Sequence, residues 1–493
     1  MPSYSSKIEE IRRKEYGYIK DVTYLDHAGC TLYPSTLIHQ FTQDLTSNLF
    51  GNPHSASPSS MLSSERIESV RSRVLQFFNA SPEHFDVVFV ANATAAIKVV
   101  MEGFRDLEGG YWYGYHRDSH TSLAGVREHA TVSRCFARDS DVEEWISAKD
   151  EGADTTKLFA YPAQSNMNGR RSPLQWCGQI RRNKAKTYTL LDAAAFLTTG
   201  NLDLSNHEDA PDFISMSFYK IFGFPDLGAL LVRKTSADIL MKRKYFGGGT
   251  VEMVISVGNS WHSKRKVVHS ALEDGTLPFH NIVALGHAMD AYQQLYGSAK
   301  NVSSHTAALA KTTYERLSAM KYSNGNRVCE MYKDPLATYD DATTQGPTVA
   351  FNVYNWDGSM VGKSKVEEAA IKNKIHLRSG GVCNPGGVAT VLQLSHEDMR
   401  KNFDAGMRCG DKNDIMAGKH TGIVRVSFGA MSSMADVDRF MKFMEATYLR
   451  GGMSLEVPSG FFHEKAGSIK KQKSGGLRMM IKNIARGHTQ VSA

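Results

Sequence analysis

TYTLLDAAA, Thr187–Ala195, followed after a short helical spacer by DFISMSFYK, Asp212–Lys220, decides the reading of this chain. Each stretch is a short, continuous apolar run that ends on a residue able to do chemistry: Asp192 closes the first and Lys220 stands just past the second. Runs of this kind, apolar at consecutive positions and not alternating, suit strands buried on both faces of a parallel sheet. Working outward, further strand candidates are Asp86–Ala91, Lys157–Tyr161 and Ala229–Val232. Between them lie helix-like stretches such as Ala95–Phe104 and Ser172–Lys184. This alternation predicts a mostly parallel sheet covered by helices. A long helix is expected from Asn281, as its N-cap, to Tyr296, and another over Ser303–Met320. The texture then changes: Thr348–Tyr354 and Gly422–Phe428 read as strands and Ser432–Leu449 as an amphipathic helix. The expected organisation is an N-terminal segment (1–44), a large α/β domain (45–300), a smaller C-terminal α+β domain (301–450) and a basic, mobile tail (451–493).

Composition sets outer limits. With 41% hydrophobic and 22% charged residues in 493, the chain has globular usage, and wholesale disorder is excluded. No apolar run approaches the roughly 18 residues a membrane helix needs. The N-terminus, MPSYSSKIEEIRRKEYGYIK, lacks the apolar centre of a secretory signal. Six scattered cysteines without a CxxC pair therefore read as reduced thiols in a cytoplasmic protein. The net charge of +7 is uneven: from Gly451 onward seven Lys/Arg face two Glu, an excess of +5, so the body carries only +2. Nucleic-acid binding by the body is not expected.

The strand-end pair carries the chemistry. In an open parallel sheet the carboxyl ends of the strands form the ligand crevice. A strand-end Asp192 and Lys220, one βαβ step apart, suit pyridoxal phosphate: the lysine bonds its aldehyde and the carboxylate pairs with the pyridinium nitrogen. Thr94, following the apolar strand DVVFVAN and opening a helix, is placed to cradle a phosphate at a helix N-terminus. Ser217, Gly275 and Thr276 are further phosphate donors, and His120 is placed to stack on an aromatic ring.

Nine stretches extend the case: YLDHAGCTLYPSTL, TSNLFGNPHSASPSS, DSHTSLAGVRE, YPAQSNMNG, SFYKIFGFPDLGALLVRK, FGGGTV, LEDGTLPFHNIVAL, RSGGVCNPGG and VRVSFGAMSS. In order, from about residue 22 to 450, they resemble the class V aminotransferase family, and within it the cysteine desulfurase part of molybdenum cofactor sulfurases. The resemblance implies a pyridoxal phosphate enzyme of fold type I that removes sulfur from L-cysteine, leaving L-alanine and a persulfide on Cys383. It makes Lys220 the cofactor-bonding lysine and Asp192 the partner of the ring nitrogen, with His120 stacked on the ring. Asn166 would bond the phenolic oxygen, and Thr94 and Ser217 the phosphate. Gly275 and Thr276 would reach a neighbouring subunit's cofactor, which implies a homodimer. Arg425 would grip the substrate carboxylate, a natural task for a bidentate guanidinium. Cys383, in the loop Ser379–Gly387, stands where the family's sulfur-accepting cysteine stands; flanking glycines suggest a swinging loop, and Arg378 is placed to favour the thiolate.

Two departures accompany the resemblance. Ala195 replaces the Gln or His that many class V members carry three residues after the aspartate, so one contact to the cofactor oxygen is missing or supplied from elsewhere. Molybdenum cofactor sulfurases continue into a domain that binds the cofactor, whereas 43 residues follow position 450 here; the expected sulfur acceptor is the molybdenum cofactor, its carrier protein or a different molecule. Other readings are weaker. His116 and His120 form an HxxxH pair with no third ligand of convincing spacing, so no metal site is expected. No GxGxxG follows a strand, which removes a dinucleotide-binding dehydrogenase. A scaffold that had lost catalysis should lack Lys220, Asp192 or Cys383, and all three are present. The remaining rival is a pyridoxal phosphate carbon–sulfur lyase acting on cysteine or a cysteine conjugate, which would need no persulfide carrier.

Overall fold

The computed structural model describes residues 4–150 and 154–450. They belong to one compact unit, Met1–Gly452, and the basic tail inferred from the sequence lies outside the described residues. The large sheet has seven strands: Phe85–Val90 (β1), Trp112–His116 (β2), Val132–Phe136 (β3), Lys157–Pro162 (β4), Thr187–Asp192 (β5), Phe213–Ser217 (β6) and Gly228–Arg233 (β7). Their order across the sheet is β1-β7-β6-β5-β4-β2-β3. All neighbouring pairs are parallel except those made by β7, which runs antiparallel to both β1 and β6.

The continuous apolar runs are buried on both faces, as their pattern requires. Phe159, Tyr161, Leu191 and Ile214 point into one core, against Val70, Val74 and Leu285 of the helices Pro58–Phe77 (α1) and Phe279–Tyr296 (α3). Leu158, Ala160, Leu190 and Phe213 point into the other, against Ile97, Val100 and Phe104 of the helix Ala93–Arg105 (α2). Successive strand residues alternate between the two cores, and each large side chain so buried contributes about 1.5–3 kcal/mol.

Strand β2 and the edge strand β3 beside it carry no run that announces them. Trp112–His116 includes a glycine and a histidine, and Gly114 is required because a Cβ there would strike the ring of Trp112. Four of the five residues of Val132–Phe136 face solvent. Helix boundaries also shift. The helix expected over Ser172–Lys184 covers Trp176–Asn183, since Pro173 leads the chain through a turn first. Helix α3 starts at Phe279 behind Pro278, and Asn281, expected as its cap, instead donates to the carbonyl of Asp226 at 3.2 Å. The next helix, Ala299–Ala319 (α4), begins earlier than read because the Ser298 hydroxyl caps it, accepting from the amide of Asn301.

A second sheet is antiparallel throughout: Cys329–Met331 (β8), Thr348–Tyr354 (β9), Arg378–Gly380 (β10) and Ile423–Ser427 (β11), in the order β8-β9-β11-β10, with a fifth short strand, Met360–Val361, paired to β9. Helix α4 and the helix Met434–Met444 (α5) cover it through Leu309, Leu317, Phe351, Val424, Val437 and Phe440. The N-terminal segment joins this layer: Thr23–Tyr24 pairs in parallel with Ile375–His376, and Asp26 bridges to Ser427. Arg12 locks the first helix, Tyr4–Glu15, to Asp436 of α5 at 2.7 Å.

Candidate active site

The carboxyl ends of the parallel strands converge on one edge of the large sheet. Pro162, Asp192 and Ser215 stand side by side in register, and Ser217 ends β6 opposite Gly228. Lys220 follows in a single helical turn, Tyr219–Phe222. Beside them the side chain of Asn92 caps helix α2 by accepting from the amide of Ala95 at 3.0 Å. The amide of Ala93 donates to the hydroxyl of Ser217 at 2.9 Å, which ties the helix N-terminus to the end of β6. Gly228 makes that approach possible: a Cβ there would lie 2.5 Å from the Cα of Asn92 and 2.6 Å from the carbonyl of Met216. The result is a helix N-terminus facing a small cavity of about 150 Å³, walled by Thr94, His120, Asn166, Asp192, Ser217 and Lys220 among others. Amides and a positive dipole at that end suit an anionic group.

The cavity is electrostatically graded. Burial pushes the Lys220 ammonium below the usual lysine value, and the nearby guanidiniums of Arg425 and Arg378 add to the effect against the opposing charge of Asp192. A lysine held towards its neutral form is a competent nucleophile for an aldehyde. Asp192, nearly buried, accepts from the amide of Ala194 at 3.1 Å and the hydroxyl of Ser215 at 3.4 Å, both on Oδ1. His120 is also pushed down, by burial first, and its Nδ1 accepts from the amide of Ser122 at 3.1 Å, so the ring is the neutral tautomer with its proton on Nε2. Ser122 in turn meets the hydroxyl of Thr94 at 2.8 Å. Ala195 brings no side chain to the cavity beyond its methyl, but Gln164 stands in the wall next to it and donates to its carbonyl at 3.2 Å.

The cysteine loop is docked, in contrast to the freely swinging loop its glycines suggest. The Asn166 amide donates to the carbonyl of Val382 at 2.7 Å, and the Thr121 amide to that of Cys383 at 3.0 Å. Asn384, fully buried, donates to the carbonyl of Asp118 at 2.9 Å and to Oδ1 of Asn166 at 3.0 Å, and caps the helix Pro385–Val391 by accepting from Gly387. Cys383 itself is exposed at the tip, and it and Val382 have φ of 55° and 43°. Two successive non-glycine residues in the left-handed region store about 1–2 kcal/mol each, which the Asn384 contacts offset.

The two arginines end on a carboxylate of the chain itself. Arg425, buried, donates to the carbonyl of Asn166 and to Asp26, each at 2.7 Å. Arg378 donates to Asp26 from Nε and Nη2, the latter at 2.6 Å. Burial of Asp26 works against its ionisation, but these guanidiniums prevail and hold its carboxyl below the usual range. Gly275 and Thr276 stand apart from this cavity; Gly275 lines another, of about 200 Å³, with His54, Arg71 and Arg265. Thus the fold gathers Thr94, His120, Asn166, Asp192, Ser217 and Lys220 in one wall, brings Cys383, Arg378 and Arg425 to its rim through Asn166 and Asp26, and leaves Gly275–Thr276 outside. Residues the sequence reading passed over are Asp26, Asn92, Ser122, Gln164 and Asn384. Asn92 and Asn384 did carry a signal, since each precedes a helix and the second is followed by proline.

A family model for class-V aminotransferases matches residues 23–440. The chain belongs to that family. Curated relatives include the molybdenum cofactor sulfurase of Aspergillus niger, 56% identical over 450 residues, which cover 90% of this chain and 55% of that protein. The molybdenum cofactor sulfurase of Emericella nidulans is 52% identical over 491 residues, 96% of this chain and 58% of that protein. The chain therefore spans little more than half the length of the curated relatives it matches. Among solved structures, a cysteine desulfurase from Thermococcus onnurineus superposes with a TM-score of 0.70 at 19% identity, covering 90% of this chain and 98% of that one. The fold is accordingly fold type I, and the cofactor of this class-V member is pyridoxal phosphate. The donor set fits it: a lysine whose pKa burial lowers, a buried carboxylate and a capped helix N-terminus with hydroxyls on one wall.

Proposed function

We propose that this protein is a cysteine desulfurase of the molybdenum cofactor sulfurase type, converting L-cysteine to L-alanine and leaving a persulfide on Cys383. The observation that carries the proposal is the exposed Cys383, whose loop is docked through Asn166 and Asn384 onto the crevice that holds Lys220 and Asp192. A carbon–sulfur lyase has no use for a thiol there. The bound cofactor supplies an electron sink that weakens bonds at the substrate's α-carbon. Lys220, in the cavity wall and with its pKa lowered by burial, would take the α-proton and return it. Asp192 would pair with the ring nitrogen, Ser217, Thr94 and the start of α2 would hold the phosphate, and neutral His120 would supply a flat face for the ring. The thiolate of Cys383 attacks the substrate sulfur, the carbon–sulfur bond breaks, and the methyl carbon takes a proton.

The molybdenum cofactor is the proposed final acceptor, supported by the names of the relatives that the chain matches over about half their length. A homodimer is proposed as the working species. Its support is the position of Gly275–Thr276 away from the chain's own cavity, next to a hairpin, Val251–Ile255 with Trp261–Lys264, that exposes Met253, Val254, Ile255 and Trp261. A cytoplasmic location is part of the same proposal and is supported by six free cysteines. No helix among the described residues is long and apolar enough to cross a membrane. Incubation of the purified protein with L-cysteine, assaying alanine, pyruvate and protein-bound persulfide together, tests the reading: alanine and persulfide in equal amounts are expected, and pyruvate without persulfide would refute it.

A further inference from the structure

Arg378 and Arg425 are direct cross-strand partners on β10 and β11. Like charges placed opposite each other in a sheet repel, and such a pair persists only where an anion is held between them. Asp26 is that anion. Its Oδ1 accepts from Arg425 at 2.7 Å and its Oδ2 from Arg378 at 2.6 Å. The surrounding backbone is built for the contact. The amide of Ser427 donates to the carbonyl of Leu25 at 2.8 Å, the amide of Ala28 to the hydroxyl of Ser427 at 2.9 Å, and Asp26 closes a turn to Gly29. Gly29 leaves room for the pair as it stands: a Cβ there would lie 2.6 Å from Nη2 of Arg378 and 2.8 Å from Oδ2 of Asp26, so both side-chain ends would have to move.

The count of charges in this cluster is two guanidiniums against one carboxylate, so one further monoanion completes it. On the reading of the site given above, that monoanion is the α-carboxylate of the substrate. The field of both guanidiniums also reaches Lys220 on one side and Cys383 on the other. Cys383 marks where the substrate's side chain must lie, so spare positive charge in the cluster would act on that side chain too.

We propose that Asp26 is a specificity-determining residue: it cancels one arginine charge, so that the site takes amino acids with a single carboxylate and disfavours those with an acidic side chain. Asp26 does this through Arg378 and Arg425, without touching the substrate.

The test uses the cofactor-loaded protein and reads binding from the cofactor's absorbance as L-alanine or L-aspartate is added. Wild type is expected to favour alanine. In Asp26→Asn, which keeps the shape and removes the charge, the affinity ratio of aspartate to alanine should rise about tenfold or more. Adding Arg378→Gln to Asp26→Asn restores a single net positive charge, and the ratio should return towards wild type. A structural role alone would weaken both amino acids alike, leave the ratio unchanged and make the double variant worse than the single one; that outcome overturns the proposal. If loaded wild-type protein responds to neither L-cysteine nor L-alanine, the amino-acid site itself is misread and the role of Asp26 falls with it.

Discussion

Replacing Asn384 by alanine should release the cysteine loop while leaving the cofactor cavity in place. The side chain is fully buried and makes three strong bonds, to the carbonyl of Asp118 at 2.9 Å, Oδ1 of Asn166 at 3.0 Å and the amide of Gly387 at 3.0 Å. Each is worth about 1 kcal/mol net, so the loss is about 3 kcal/mol. That corresponds to an opening equilibrium shifted about 150-fold. The strain at Val382 and Cys383, both at positive φ, favours opening in wild type and variant alike, so the shift comes from the lost Asn384 bonds alone. The reporter is the amide of Thr121, which donates to the carbonyl of Cys383 at 3.0 Å. Hydrogen exchange at Thr121 and across residues 380–390 should accelerate by about two orders of magnitude. Amides of β5, buried in both cores, should keep their wild-type rates and show that the variant is folded. Unchanged exchange at Thr121 would refute the view that Asn384 docks the loop.

Two other predictions concern titration. Arg378→Gln removes a positive charge that acts on Lys220 and frees Asp26, so the lysine's pKa should rise and less neutral amine should be present at neutral pH; the rate at which apoprotein takes up pyridoxal phosphate should shift its pH midpoint upward, and a downward shift would contradict the assignment. His27 is buried against Thr31 and Ser432, and burial lowers its pKa from 6.5 to about 3. The unfolded chain therefore binds a proton that the folded one refuses, and stability present above pH 6.5 is lost as the pH falls, by about 2 kcal/mol at pH 5. Thermal melts of wild type between pH 7.5 and 5 should show this decline, and His27→Gln should lose that share of it.

How much of this was legible depended on the distance over which each residue acts. The central strands could be read because their burial is written in consecutive residues: TYTLL and FISMS are apolar without interruption. Asp192 and Lys220 follow from them, since a strand end in a parallel sheet is a place as well as a residue. Strand β3 was illegible because an edge strand with four exposed residues needs no apolar pattern. Asp26 was illegible for another reason. Its partners are Arg378 and Arg425, more than 350 residues away, and only the pairing of the N-terminal strand with Ile375–His376 brings them together. The docking of the cysteine loop is similar: its glycines signalled mobility, whereas Asn384 binds groups some 220 to 270 residues earlier that no spacing rule reveals.

The central claim is that Cys383 takes sulfur directly from the substrate, and the variant Cys383→Ser tests it most directly. The cavity residues are untouched by this change, so the variant should bind pyridoxal phosphate and respond to L-cysteine as wild type does. Without the thiolate no bond to the substrate sulfur can form. Mass spectrometry of the protein after incubation with L-cysteine should show a gain of one sulfur atom on Cys383 in wild type and none in the variant, with alanine production abolished. A variant that keeps consuming L-cysteine at the wild-type rate, with pyruvate as the product, would contradict the account.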